Sequence, residues 1–429
     1  MIMDLKALFK RDLLKNAAIY TITDGISKSI SFLLLPVVSY FLVPEEIGLV
    51  ANFDVLQSVI MLISGQAIVN SLPYFYYKLS KEEVALLVSN LLFIIIAINL
   101  FFSIVILIFN PIIEKYLQLV LPLQALTILS VLSSLLIAIN MVLFRLEDKP
   151  YRFAKLQIIQ TLLNISLVVL LVIILRWGAV GKICATVFSL VIMALFHLYL
   201  LIKRRYIVRI LDKVSLKVLL KFGIPLLPHS LSFWIKSGMD KVLLTNFCGL
   251  SINGLYSMAM SLGAIFSIFT TAFNNAYIPF LQKRITAVIP ETKDREEKFF
   301  VSITYKLIAC FSLLCVCAIF FSWIVISYIL DDRYKSSFEF VPWIMISLTI
   351  TSFYGLVVQF VYTKKKTLGL GVITFFGSVI QLCLTYVFIR IWGKDGIKYS
   401  LVIGSLLIML GVWFYSNKVF PLPWFKKMW

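Results

Sequence analysis

Acidic residues are scarce in this sequence: 21 Asp and Glu stand against 40 Lys and Arg, for a formal net charge of +19. Histidine is scarcer, with two residues, His197 near a span end and His229 next to Pro228. Two histidines without clustered carboxylates predict no metal site. No G-x-x-x-x-G-K-[ST] run occurs, which excludes a P-loop and ATP hydrolysis by this chain. No nucleophile–base constellation stands out, so neither catalytic residues nor a cofactor are expected. Six cysteines (184, 248, 310, 315, 317 and 383) lie in or beside apolar runs, none at C-x-x-C spacing, and read as small buried hydrophobes. The first residues are charged and polar, with no short apolar core and small-residue cleavage site, so no cleavable leader is expected.

What the chain has in quantity is apolar surface. It is 61% hydrophobic with a mean hydropathy of +0.98, where soluble domains sit near about 45–50%. Apolar runs of about 20 residues, enough for a hydrocarbon core of roughly 30 Å, recur along the whole length. They do not alternate polar and apolar as barrel strands do. The expected fold is an all-α polytopic membrane protein of about twelve transmembrane helices, with no separate soluble domain. The spans read as 17–42, 47–73, 84–110, 117–144, 154–175, 178–202, 222–246, 252–280, 300–328, 338–362, 367–390 and 397–417. A short in-plane helix is expected over Ser215 to Phe222. The basic residues sit in short loops, about 28 on one side of the spans and about 8 on the other. That bias places both termini in the cytoplasm, and it assigns the positive charge to topology rather than to nucleic acid.

The chain also repeats. At an offset of 206, Leu13-Leu14-Lys15 falls on Leu219-Leu220-Lys221, Phe41 on Phe247, Gly48-Leu49 on Gly254-Leu255 and Pro73 on Pro279. Near the end of each half, Trp177-Gly178-x-x-Gly181 recurs as Trp392-Gly393-x-x-Gly396 at an offset of 215. The agreement of punctuating residues predicts two six-helix bundles, 1–210 and 211–429. Six is an even number, so the two run in the same orientation about a central cavity.

The opening KNAAIYTITDGISKSISFLLLPVVSYFLVPEEIGLVANF resembles the first hairpin of polysaccharide transporters of the multidrug/oligosaccharidyl-lipid/polysaccharide exporter superfamily. FGIPLLPHSLSFWIKSGMDKVLL…NGLYSMAMSLGAI looks like its second-half counterpart, and RWGAVGKICAT resembles the turn before span six. The resemblance covers nearly the whole chain. It implies a flippase for undecaprenyl-diphosphate-linked oligosaccharide, the O-antigen or capsule repeat unit, in the bacterial cytoplasmic membrane. It implies membrane lipids as partners and allows other polysaccharide-assembly membrane proteins. Where the family often has Asp-Arg in span seven, this chain has Asp240-Lys241, and Lys lacks the planar fork that grips a diphosphate bidentately.

The chemistry-bearing residues are the charges inside the spans. A charge at bilayer depth costs roughly 2.5–3.5 kcal/mol on insertion scales, so it usually faces a cavity or a partner. Asp24 and Lys28 stand at i and i+4 in span one, on one helical face. Lys236 and Asp240 repeat the spacing in span seven with the order reversed, and Lys241 is turned about 100° away. Asp54 in span two and Lys306 in span nine complete the set. Lys28, Lys236, Lys241 and Lys306 are expected to meet the diphosphate, with Arg145 and Arg152 as a basic lip. Asp24, Asp54 and Asp240 are expected as charge partners or as coupling sites for H⁺ or Na⁺. Structural ion pairs are the alternative for Asp24–Lys28, and snorkelling to the surface for Lys306. Pro36, Pro225 and Pro228 remove backbone donors and are expected to bend their helices. Two rival functions remain: a drug/cation antiporter of the same superfamily, which would want an acidic cavity, and a membrane polymerase or glycosyltransferase, which would want larger outer loops.

Overall fold

A computed structural model describes the backbone of residues 2–286, 290–364 and 366–424. It describes their side chains other than those of residues 2–14, Ala17, Lys28, Ser31, His229, Phe233, Asn275, Ala276 and Pro290. All regular structure among the described residues is helical. The helices are α1 (Ile2–Phe41), α2 (Pro44–Tyr76), α3 (Lys81–Leu117), α4 (Leu121–Leu146), α5 (Pro150–Ile174), α6 (Gly178–Lys203), α7 (Lys213–Gly223), α8 (Leu227–Cys248), α9 (Leu250–Thr286), α10 (Lys293–Ile329), α11 (Val341–Thr363), α12 (Thr367–Trp392) and α13 (Lys394–Val419). Eleven are long and apolar enough to cross a membrane, or up to twelve when the bent pair at α7 and α8 is taken as one span. α8 falls short by itself because Lys236, Asp240 and Lys241 dilute its apolar run.

Helix starts are set by local chemistry. Ser80 caps α3: its hydroxyl accepts from the Glu83 amide at 3.3 Å, and the Glu83 carboxylate accepts from the Ser80 amide at 2.7 Å. Asp212 caps α7 by accepting from the amides of Val214 and Ser215. Pro44, Pro150 and Pro225 stand in the first turns of their elements, where a missing amide hydrogen costs nothing. Pro36 lies inside α1, which continues through it. The bend expected at Pro225 and Pro228 is present: a 3₁₀ turn at Ile224–Leu226 precedes α8, and the two segments are inclined by 41°. The short helix expected over 215–222 is α7. It packs on α3, with Leu219 fully buried.

The chain divides into two compact units, Met1–Leu231 and Ser232–Trp429. In the first, α2 packs on α4, α3 on α4, α4 on α6 and α5 on α6. In the second, the corresponding pairs α9 and α11, α10 and α11, α11 and α13, and α12 and α13 pack in the same way. The apolar cores lie within each unit, around Leu42, Val168 and Ala185 in the first and Phe300, Leu356 and Phe360 in the second. Large apolar side chains also cover the outside: Leu107 is 64% exposed and Phe320 60%. Such a surface is stable against lipid and not against water.

The repeated W-G-x-x-G segments form matching turns. Gly178 and Gly393 both have φ +58°, a left-handed conformation in which a Cβ is strained. Three residues on, a Cβ at Gly181 would lie 2.9 Å from the Leu171 carbonyl oxygen, and a Cβ at Gly396 would collide with the Phe388 carbonyl. Each second glycine therefore lets a helix start press against the backbone of the helix before it. Trp177 and Trp392 are each 51% exposed at the same place, as aromatic side chains at a membrane interface are.

Candidate functional site

α8 carries the three intramembrane charges expected from the sequence. The i, i+4 spacing puts Lys236 and Asp240 on one face, yet their side chains part. Lys236 Nζ donates to Thr351 Oγ1 at 3.2 Å, and that hydroxyl donates to the Ser347 carbonyl at 2.9 Å. Asp240 is 2% exposed. It accepts from the Tyr256 hydroxyl and from Thr385 Oγ1, both at 3.4 Å, which is long for an O–H···O bond. Thr385 has one hydroxyl hydrogen and two nearer acceptors, the Gln381 carbonyl at 2.9 Å and Ser400 Oγ at 3.0 Å. Lys236 and Lys241 act on Asp240 electrostatically without closing a described ion pair. The carboxylate is thus buried and weakly held. One turn from Thr385, Gln381 is 1% exposed, and neither polar atom of its amide has a described partner. Gly404 makes room for it, since a Cβ there would run into the Gln381 side chain.

A cavity of about 40 Å³ opens beside Lys236, enough for roughly two or three waters. Ser232, Thr351, Tyr354, Thr374, Ser378, Ser405 and Ile408 line it with Lys236, largely through apolar atoms. All these residues belong to the second unit.

The first unit brings together residues singled out separately in the sequence. Asp24 on α1 accepts from Gln157 Nε2 at 2.8 Å and lies 3.9 Å from Arg145 Nη2. The Arg145 guanidinium stands over the Phe153 ring at 4.6 Å. Lys28, the expected partner of Asp24, has a side chain outside the described residues. Asp54 is exposed on α2, within electrostatic reach of Lys182. Lys182 lies in the second turn of α6. Arg152 and Lys306 are exposed, and neither makes a described hydrogen bond or ion pair. Lys241 is half-buried. Among the described residues no group of three or more His, Cys, Asp or Glu is placed to hold a metal ion.

A second charge cluster, unforeseen in the sequence, is built on Glu147 just beyond α4. Its carboxylate accepts from the Tyr206 hydroxyl and Lys149 Nζ, each at 2.6 Å, and pairs with Arg204 Nη2. Arg204 Nη1 also donates to Asn140 Oδ1 at 2.6 Å, and Asn140 meets the fully buried His197 at 3.1 Å. Burial works to raise the Glu147 carboxyl, but hydrogen bonds from Lys149 and Tyr206 and the Arg204 charge outweigh it and hold it below the usual glutamate range. Burial, and then Glu147 itself, pushes the Tyr206 hydroxyl up. A depressed folded-state carboxyl stabilises the fold above glutamate's ordinary range, and that contribution is lost as pH falls through the folded value. Glu147→Ala leaves the largely buried Arg204 guanidinium beside no carboxylate. It is expected to cost about 3 kcal/mol, read as a lower thermal midpoint in detergent at neutral pH. A parental midpoint would show the cluster to be dispensable.

The missed partners had a weak signal. Gln381 and Thr385 are polar, four residues apart, in a helix whose most apolar window has a mean hydropathy of 2.1. Such pairs in an apolar span mark a buried face.

Comparison with known proteins adds to this geometry. Residues 13–284, well over half of the chain, match the family model described as "Polysaccharide biosynthesis protein". A protein of the Lsg locus of Haemophilus influenzae is 24% identical over 426 residues, covering 94% of this chain and 98% of that one. Among solved structures, the lipid II flippase MurJ in an inward closed conformation superposes with a TM-score of 0.72 at 13% identity, covering 92% of this chain and 87% of that one. An inward-facing multidrug resistance MATE family transporter of the MOP superfamily gives 0.70 at 16% identity, covering 91% and 94%. At these identities the likeness is one of fold.

Proposed function

The chain belongs to the polysaccharide biosynthesis protein family, and from that premise we propose that it moves a polyprenyl-diphosphate-linked oligosaccharide, an O-antigen or capsule repeat unit, from the inner to the outer leaflet of a bacterial cytoplasmic membrane. Family and fold are those of transporters rather than enzymes. Movement proceeds by alternating access, with residues 1–210 and 211–429 as the two bundles and both termini in the cytoplasm. The observation that carries the reading is Lys236. The residue is half-buried within α8, and its ammonium spends one donor on Thr351, beside a small opening. An ammonium has three donors, and anionic phosphate oxygens are the partners that best repay its burial. The opening is too small for sugars or for a whole diphosphate, so Lys236 is assigned to a phosphate oxygen at its mouth, with the rest of the headgroup and the glycan outside. Lys28, Lys241 and Lys306 are assigned to the same headgroup along its route, and Arg145 and Arg152 to its capture.

Asp240 supplies the coupling. Its carboxylate, Gln381 Oε1 with no partner among the described residues, and the Thr385 and Ser400 hydroxyls are hard oxygens, suited to a proton or a small hard cation. Asp24, hydrogen-bonded by Gln157 and near Arg145, takes the matching role in the first unit, and Asp54 stays a charge partner of Lys182.

The test is translocation in proteoliposomes, using lipid-linked oligosaccharide with a fluorescent glycan and a membrane-impermeant quencher. Protein-dependent loss of protected fluorescence is expected. Protected fluorescence that never falls, together with efflux of a cationic dye by the same vesicles, favours the drug antiporter. Within the assay, Lys241→Ala is expected to slow translocation about tenfold, and Lys213→Ala, on the exposed face of α7, by less than about twofold. Equal effects from the two would remove Lys241 from the path.

A further inference from the structure

Three loops of the first unit converge on a basin of about 630 Å³, within the range of roughly 300–1,000 Å³ typical of small-ligand sites. The Glu147 cluster forms part of its wall, and none of its lining residues belongs to the Lys236 and Asp240 site. Lys81 comes from the start of α3, Lys149 from the turn before α5, and Lys203, Arg204 and Arg205 from the end of α6. Glu147 is the carboxylate among these lining residues, so five cations face one anion. That anion is already occupied: Arg204 and Lys149 both hold it. Lys81, Lys203 and Arg205 make no described ion pair, and all three are exposed. Arg205 is held at φ +60°, where a bulky side chain costs of order 1–3 kcal/mol unless its surroundings impose it. The helix-end turn supplies that frame: the Arg205 amide donates to the Ile202 carbonyl at 3.0 Å and the Tyr206 amide to the Leu201 carbonyl at 2.9 Å.

Ordinary topology signals do not need this arrangement. Loop cations that only set orientation repel one another and splay into solvent. Here they are gathered around a concavity on a hydrogen-bonded base, an arrangement that an anion stabilises. The neighbouring surface identifies the source of that anion. Leu195, Tyr199 and Ile202, at 63%, 54% and 58% exposure, form one apolar face of α6 that ends at Lys203. An acyl chain fits along that face while its headgroup reaches the basin.

We propose that this basin binds a phosphate-bearing headgroup, that of an anionic phospholipid, independently of the transported substrate. Basic pockets of this kind between helix ends are where lipid phosphate is recognised.

The test measures phosphatidylglycerol retained by the purified full chain in native mass spectrometry, with phosphatidylcholine as the neutral comparison. The basin variant carries Lys81→Gln, Lys203→Gln and Arg205→Gln, which leaves Glu147 and Arg204 in place. The control carries Lys213→Gln, Lys217→Gln and Lys221→Gln, removing equal charge from exposed positions of α7. The basin variant is expected to retain about tenfold less phosphatidylglycerol than the parent, and the control to lose less than about twofold. Arg205→Gln alone is expected to lower retention about threefold, which keeps the test usable if the triple variant fails to fold. Equal losses from basin and control variants, or parental retention by the basin variant, overturn the proposal. Soluble pyrophosphate, added to delipidated parent and basin variant, separates the sources. Phosphatidylglycerol retention that depends on the basin assigns the site to the phospholipid headgroup; basin-dependent pyrophosphate binding with no basin-dependent phosphatidylglycerol retention keeps a phosphate site but overturns its assignment to lipid.

Discussion

Asp240→Asn is expected to cut translocation at least about tenfold while leaving the protein as heat-stable as its parent, or more so by about 1 kcal/mol. The two readouts move apart for a physical reason. Asn keeps the volume of the side chain and can still accept from Tyr256 and Thr385, which reach Asp240 at 3.4 Å. What it removes is the charge. An ionised carboxylate at 2% exposure with no described ion pair is costly to keep, so its loss relieves the fold. It also removes the oxygen at which a proton or cation exchanges, so any step coupled to that exchange stops. A merely structural Asp would behave in the opposite way, losing stability and transport together. The decisive measurement pairs a thermal midpoint with translocation under an imposed proton or sodium gradient. An Asn variant that transports at the parental rate and responds to both gradients as the parent does would falsify the coupling role.

The second large effect is expected at Gly396. A Cβ there meets the carbonyl group of Phe388 and the amide of Ile389, which are backbone and cannot swing aside. Gly396→Val must pry α13 from the end of α12, two helices that pack along their length. The expected loss is about 3 kcal/mol, or a protein that cannot be recovered folded. Gly393→Ala is expected to cost roughly 1–3 kcal/mol through its backbone alone, since φ +58° with ψ −136° is essentially a glycine conformation. Gly371 is the control: a Cβ there meets nothing within 4 Å. Gly371→Ala is expected to be neutral or to stabilise by up to about 1 kcal/mol through helix propensity. Thermal midpoints of the three variants in one detergent check the ranking. Indistinguishable midpoints for Gly396→Val and Gly371→Ala would mean that the close approach is not needed.

These glycines show where legibility stops. The W-G-x-x-G segments stand out in the sequence as a repeat at an offset of 215. Nothing in their spacing says that the first glycine turns left-handed or that the second touches a carbonyl of the preceding helix. Asp24 shows the same limit. Its nearest charge in the sequence is Lys28, four residues on, but the described donor to its carboxylate is Gln157 on α5, 133 positions away. Helical spacing says which side chains share a face; it does not say which distant helix packs against that face. Lys236 and Asp240 share a face and still diverge, one to Thr351 on α11 and the other to Tyr256 on α9 and Thr385 on α12. The Glu147 cluster went unread because its members, Asn140, Glu147, Arg204 and Tyr206, look like loop and helix-end residues until α4 and α6 are placed side by side.

The sequence alone determined the solvent, the secondary structure and the number of crossings. Hydrocarbon of fixed thickness demands apolar runs of about 20 residues, and in lipid each such run must satisfy its own backbone as a helix. Those are local requirements, and they are written locally. Only the tertiary structure decided where each buried charge goes, which glycines a helix contact depends on, and that five loop cations gather into a basin. Each of these depends on which distant helices meet, and packing settles that through shape and contact rather than through any nearby run of residues.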